Sequence, residues 1–182
     1  MIIGITGTIG AGKGTVVAYL LEKKGFKHYS ARAFITEEIV KRGLPVNRDS
    51  MVLVGNALRA EHNPAFVIES LYERAKTAGG DAVIESIRTP GEVAAMRGKE
   101  KFYLLAVDAD PEIRYERIKA RGSETDTVSL EEFKDQETRE MHSDDPNKQN
   151  LADCIKQADF TLRNDGSFDD LYAQLEKFLS GI

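Results

Sequence analysis

The first seventeen residues, MIIGITGTIGAGKGTVV, limit the possible folds more than any other part of the chain. A short apolar, β-prone run (Met1–Thr6) passes directly into a glycine-rich segment. A helical pattern follows, with Val16, Val17, Leu20 and Leu21 on one stripe and Gly25 at its end. The segment between Gly7 and Lys13 fits G-x-x-x-x-G-K, with Gly14 where serine or threonine is usual and Thr15 next. Glycines let such a loop wrap with its N–H groups inward, and the following helix adds its positive end. A loop of this kind cradles phosphate oxygens, and its lysine reaches the β- and γ-phosphates. Gly7, Thr8, Gly10, Ala11, Gly12, Lys13, Gly14 and Thr15 are therefore the expected nucleotide-phosphate site, with the Thr15 hydroxyl placed for Mg²⁺. The other glycine-rich option is a dinucleotide-binding turn. It is disfavoured by Lys13 and by the lack of an acidic residue ending the second strand.

The remaining chain alternates strand and helix patterns. Strands are expected at Phe26–Ser30, Asp81–Glu85, Lys101–Asp108 and Asp159–Asn164. Helices are expected near 33–42 and 49–61, then from the Asn63-Pro64 cap to Gly79-Gly80, and from the capping box Thr89–Glu92. Another runs from Asp110-Pro111 to Gly122, and Ser129–Glu132 opens a long charged one. Phe168, Leu171, Tyr172, Leu175, Phe178 and Leu179 give the last helix a nearly complete apolar stripe. Alternation of this kind predicts an α/β domain, a five-stranded parallel sheet with helices on both faces. The whole chain, 1–182, reads as one domain. Its most charged part, about 112–145, reads either as a flap over a site or as a solvated hairpin, and the polar loop Ser123–Thr127 lies within it.

Composition narrows the function classes. A net charge of −5 without a basic run argues against a general nucleic-acid or anionic-membrane surface. The single cysteine, Cys154, rules out an internal disulfide and a thiolate zinc cluster. The apolar start, Met1–Ile5, is too short for a signal peptide or a membrane span, so a cytoplasmic protein is expected. The three histidines show no metal-ligand spacing.

Several segments resemble the P-loop kinases of nucleotides and related small molecules. Gly-Lys-Gly-Thr at 12–15 is similar to the adenylate kinase form of the loop. His28–Ser30 resembles the segment at their acceptor pocket, and Val83–Pro90 resembles their Val-Ile-Asp-Gly-Phe-Pro-Arg segment. Val107–Gly122 resembles the strand and helix that lead to the lid, and Arg163–Leu171 the Asn-x-Gly-Ser segment near the base. The pattern is closest to archaeal adenylate-kinase-like proteins and phage-type deoxynucleotide kinases, with dephospho-CoA kinase related. The resemblance implies a three-layer P-loop NTPase fold with a helical lid, ATP and Mg²⁺ as cofactors, and γ-phosphoryl transfer to a nucleoside or deoxynucleoside monophosphate. Dephospho-CoA is the alternative acceptor, and a non-catalytic ATP-dependent regulator the alternative class. Where adenylate kinases carry an aspartate and an arginine after the Ser30 position, this chain has Ala33 and Thr36.

The expected chemistry needs charge neutralised on the moving phosphoryl group. Lys13 supplies part of this. Arg88 follows the third strand at the carboxyl edge of the sheet, where ligands bind in such folds. By the resemblance, Glu85 takes the aspartate's place, to hold Mg²⁺ through water or accept a proton; a helix-capping role is the other reading. Arg121 is the best candidate among the flap arginines Arg117, Arg121 and Arg139, because it ends its helix beside the polar loop. Ser30, Arg32, Arg59 and Arg88 are the expected acceptor-binding residues, with Arg59 on a helix flanked by apolar residues.

Overall fold

The computed structural model describes residues 1–122 and 129–182. Five parallel strands form one sheet in the order β2 (Lys27–Ser30), β3 (Ala82–Glu85), β1 (Ile2–Gly7), β4 (Phe102–Asp108) and β5 (Phe160–Arg163). β1 lies between β3 and β4, with Ile5 opposite Glu85 on one side and Gly7 opposite Val107 on the other. The glycine loop thus leaves the middle of the sheet at its carboxyl edge, flanked by the ends of β3 and β4.

Side-chain alternation divides the sheet between two cores. Ile3 and Ile5 of β1, Val83 of β3 and Leu105 and Val107 of β4 face α1 (Lys13–Lys24) and α9 (Phe168–Leu179). Ile84 and Leu104 point the other way. They pack with α2 (Ala31–Lys41), α3 (Arg48–Glu61), α4 (Phe66–Ala78), α5 (Pro90–Arg97) and α8 (Leu151–Lys156). Three layers result, as the sequence predicts. Leu171, Leu175 and Phe178 of α9 are buried, each contributing about 1.5–3 kcal/mol of apolar burial. α6 (Pro111–Arg121) and α7 (Leu130–Met141) lie along the loop side of the carboxyl edge.

The helix caps follow the sequence closely. Thr89 and Glu92 form a reciprocal capping box on α5, and Ser129 and Glu132 form another on α7. Asp110 caps α6 ahead of Pro111. One local expectation is corrected, and two features are added. Asn63 caps a preceding turn rather than α4: its Oδ1 accepts from the Ala65 amide at 2.8 Å and its carbonyl from Phe66 at 3.1 Å, so α4 starts at Phe66. The charged helix α7 stops at Met141. A further short helix, α8, follows; Asn150 caps it, and its Leu151 and Cys154 are buried in the core. Six residues are too few for periodicity to reveal it. The expected polar loop at Ser123–Thr127 lies outside the described residues.

Candidate active site

The loop from Gly7 to Gly12 is fixed by contacts that leave no room for a side chain at Gly7 or Gly12. Gly7 has φ +135°, and a Cβ there would lie 2.0 Å from the Val107 carbonyl oxygen. Gly12 has φ +97°, and its Cβ would meet Asn164 Nδ2 at 2.1 Å. Asn164, buried at the end of β5, donates to the Ala11 carbonyl at 2.8 Å and ties the loop to the sheet. From the other side, Arg114 donates to the Ala109 carbonyl at 2.8 Å and the Ile9 carbonyl at 3.3 Å, and pairs with Glu137 at 2.6 Å. It also stacks over Phe133, joining α6 and α7 to the loop. Thr8 is buried, its hydroxyl 3.3 Å from Asp108 at the end of β4.

Lys13 begins α1, with Nζ bonded to the carbonyls of Gly7 (2.9 Å) and Thr8 (2.8 Å). Burial, followed by the nearby Arg88 charge, brings its pKa down to about 7. Gly14 is exposed, with open space where its Cβ would be, and Thr15 is half-buried one position on.

A cavity of about 220 Å³ opens from Lys13 and Gly10 toward the space between α2 and α3. Six cationic side chains border it (Lys13, Arg32, Arg48, Arg59, Arg88 and Arg121) against two carboxylates, Glu85 and Glu140. Ile35, Met51, Val52 and Gly55 supply an apolar wall. The predicted residues Ser30, Arg32, Glu85, Arg88 and Arg121 therefore do converge on one space with the loop lysine.

Their individual settings differ. Ser30 lines the cavity, but its hydroxyl is the N-cap of α2 and accepts from the Ala33 amide at 3.2 Å. Among the described residues, the exposed Arg32 guanidinium has no ion-pair or hydrogen-bond partner. Glu85 Oε2 lies 3.0 Å from His28 Nε2; that bond holds its carboxyl below the usual carboxylate range, helped by Lys13 and Arg88. Arg88 bonds Gln149 at 2.6 Å and Glu140 at 3.1 Å. Arg121 ends α6 at the cavity, and its charge reaches Lys13. Arg59 also borders the cavity, with its side chain 3% exposed and both Nε and Nη2 donating to Glu92 Oε1, at 3.0 and 2.8 Å. Thr36 bonds the Arg32 carbonyl on α2, outside this cavity. Arg139 is exposed and bonded to its own helix at Asp135, whereas Arg117 lies by Asn164 at 3.5 Å with a buried Nη1 that lacks a hydrogen-bond partner among the described residues.

Four polar lining residues escape the sequence reading: Arg48, Ser86, Glu140 and Gln149. Ser86 has φ +76°, in the left-handed region, and its amide and that of Ile87 both donate to the Ile5 carbonyl at 3.0 Å. This twist ends β3 and turns the chain so that Glu85 and Arg88 both border the cavity while Ile87 enters the core.

A family model described as an AAA domain matches residues 3–142, more than two thirds of the chain. The chain belongs to the AAA domain family. Among the relatives of this AAA-domain protein, UPF0200 protein TK1334 of Thermococcus kodakarensis is 32% identical over 188 residues, covering 100% of this chain and 98% of its own. The chain is thereby also a member of the UPF0200 family. Among solved structures, TT1252 from Thermus thermophilus shares 27% identity with a TM-score of 0.63, over 100% of this chain and 97% of that one. Shikimate kinase from Bacteroides thetaiotaomicron (13% identity, TM-score 0.59, 99% and 97% covered) shares the fold. So does deoxyadenosine kinase from M. mycoides with bound dATP (14% identity, TM-score 0.53, 99% and 100% covered). The AAA-domain chain thus has a P-loop kinase-like fold. Among the described residues, no helix is long and apolar enough to cross a membrane, and no group of three or more His, Cys, Asp or Glu could hold a metal ion.

Proposed function

We propose that the protein is an ATP-dependent kinase that transfers a γ-phosphoryl group to a small anionic acceptor, a nucleoside or deoxynucleoside monophosphate in the first instance. The observation that carries this reading is the cavity's continuity: the loop lysine and five arginines border one space, with an apolar wall on the side away from the loop. A donor triphosphate on the loop directs its last phosphate toward Lys13. An acceptor anion in the arginine-lined part then lies in the same space, and cations from both sides neutralise the transferred group. Arg59 serves the wall rather than the acceptor, since Glu92 already neutralises it.

Mg²⁺ suits the oxygen donors present. The Thr15 hydroxyl on the first turn of α1 and the Glu85 carboxylate would share it with donor phosphates, an arrangement Mg²⁺ favours over an all-protein cage. Once bound, it would add positive charge at the β- and γ-oxygens. His28 holds Glu85 in place at the cavity edge. Arg117, whose buried Nη1 has no hydrogen-bond partner among the described residues, lies beside Asn164, which bonds the loop, and is our candidate for contact with the donor base.

ADP release from Mg·ATP across ribo- and deoxynucleoside monophosphates and dephospho-CoA tests the proposal, with Lys13→Ala alongside. Stimulation by one acceptor, lost in the variant, is the expected result. ATP binding without stimulation by any acceptor would instead favour a nucleotide-dependent regulator. Failure to bind ATP would remove the basis of both readings.

A further inference from the structure

Arg48 and Arg88 converge on one carboxylate. Arg48 Nη2 donates to Glu140 Oε1 at 2.5 Å, and Arg88 Nη1 donates to Glu140 Oε2 at 3.1 Å. The two guanidinium groups come from α3 and from the turn after β3, and the carboxylate comes from α7. One arginine on each oxygen is how a pair of guanidinium groups takes up a flat anion. The Glu140 side chain is 10% exposed, while Arg48 and Arg88 keep 22% and 29%, so the arginines still face the cavity. Burial works against charge on Glu140, but Arg88 and Arg48 outweigh it and hold its carboxyl below the usual range. The group is an anion at neutral pH. Arg88 has a second partner in Gln149, at 2.6 Å. Glu140 is the one ion-pair partner of Arg48 among the described residues. Withdrawing Glu140 would leave the pair, with Lys13 and Arg32 across the same cavity, short of negative charge.

We propose that the Glu140 carboxylate is a built-in occupant of an anion subsite made by Arg48 and Arg88, and that an incoming phosphate or carboxylate binds by displacing it. The identity of that anion as the acceptor's own group rests on the kinase reading; the subsite does not. Displacement makes the subsite selective. A neutral molecule cannot replace the charge that leaves, whereas a phosphate dianion brings more charge than the carboxylate it removes and keeps an oxygen for Arg32. Glu140 thereby raises the concentration at which any anion fills the site, and it removes weak ones from competition.

Calorimetric titration of the full chain with inorganic phosphate tests this without turnover. Glu140→Gln should bind phosphate at least tenfold more tightly than the unaltered protein. The gain should vanish in the Arg48→Gln/Glu140→Gln double variant and persist in a Lys13→Ala background, which removes the loop's own phosphate site. Glu85→Gln deletes one negative charge from the same cavity without touching Arg48, and should gain less than threefold. Equal gains in Glu85→Gln and Glu140→Gln would reduce the effect to general electrostatics and overturn the proposal, as would unchanged affinity in Glu140→Gln. Should Glu140→Gln fail to fold, Glu140→Asp keeps the charge but shortens the reach; a gain of a few fold is expected, and none would count against the subsite. A tenfold gain beside a flat kinase panel would leave the subsite standing and the kinase reading without support.

Discussion

The guanidinium of Arg59 and the carboxylate of Glu92 meet at 2.8 Å with only 3% and 0% of their side chains exposed. The second Glu92 oxygen accepts from the backbone amides of Arg88 (2.7 Å) and Thr89 (3.1 Å). One carboxylate therefore caps α5, neutralises a buried arginine on α3 and fixes the turn that carries Arg88 toward the cavity.

Breaking this pair from one side should be costly. Glu92→Ala leaves a buried guanidinium and two uncapped amides, for which a loss of about 3–5 kcal/mol is expected in urea unfolding. The double variant Arg59→Met/Glu92→Met should lose less than Glu92→Ala, since no buried charge is left alone. A loss below about 1 kcal/mol in Glu92→Ala would show that the pair holds little together.

Loop glycines should divide sharply by position. Gly7→Ala and Gly12→Ala each put a Cβ within 2.1 Å of an existing atom at positive φ, so loss of nucleotide binding and a lower melting temperature are expected. Gly14→Ala meets open space on the first turn of α1 and should be neutral or stabilising by up to about 1 kcal/mol. Thermal melts and equilibrium nucleotide binding on the three variants decide the matter. Equal damage in Gly14→Ala would mean that the ligand approaches the chain there.

The lowered pKa of Lys13 has a definite sign in stability. Its folded value of about 7 lies below the ordinary lysine value of 10.5, so between these limits the unfolded chain holds more protons. Stability from this residue therefore rises with pH across that window, and the burden of a buried charge is greatest below pH 7. Lys13→Met should stabilise the ligand-free protein most near pH 6.5, with the advantage shrinking toward pH 9. Melts at fixed salt give the comparison, and a pH-independent difference would place the lysine's pKa elsewhere.

The left-handed backbone at Ser86 predicts a further sensitivity. Ser86→Val forces a β-branched side chain to φ +76° and should lose about 1–2 kcal/mol. Ser86→Gly should fold at least as stably as the parent. Chemical denaturation of the two variants distinguishes this from a role for the hydroxyl, which would make both changes costly.

The loop was legible because its chemistry is contiguous. Strand, glycines, lysine and helix occupy one short stretch, and each residue type has a local reason. Arg88 could be placed from the sheet edge alone. Arg48 and Glu140 could not, because the cavity is closed by helices far apart in the chain. The α7 sequence reads as a flap or a solvated hairpin without saying which of its charges turn inward; Phe133 and Glu140 are buried and Glu137 faces Arg114. Charge inside a helix interface is invisible to a pattern that equates polarity with exposure. For the same reason the sequence offers no sign that Arg59 is matched to Glu92, although it shows the Thr89–Glu92 capping box plainly.

Arg59 and Arg48 stand near opposite ends of the same helix, α3. Eleven residues of α-helix separate them by about 16 Å. Glu92 pins one end to the body of the protein, while the other end touches only the displaceable Glu140 among the ion pairs described. Arg59 thus holds one end of α3 in the core, and Arg48 carries the other end to the cavity. A turn of about 10° about the Arg59 end would move the Arg48 end through about 3 Å, enough to exchange one hydrogen-bond partner for another.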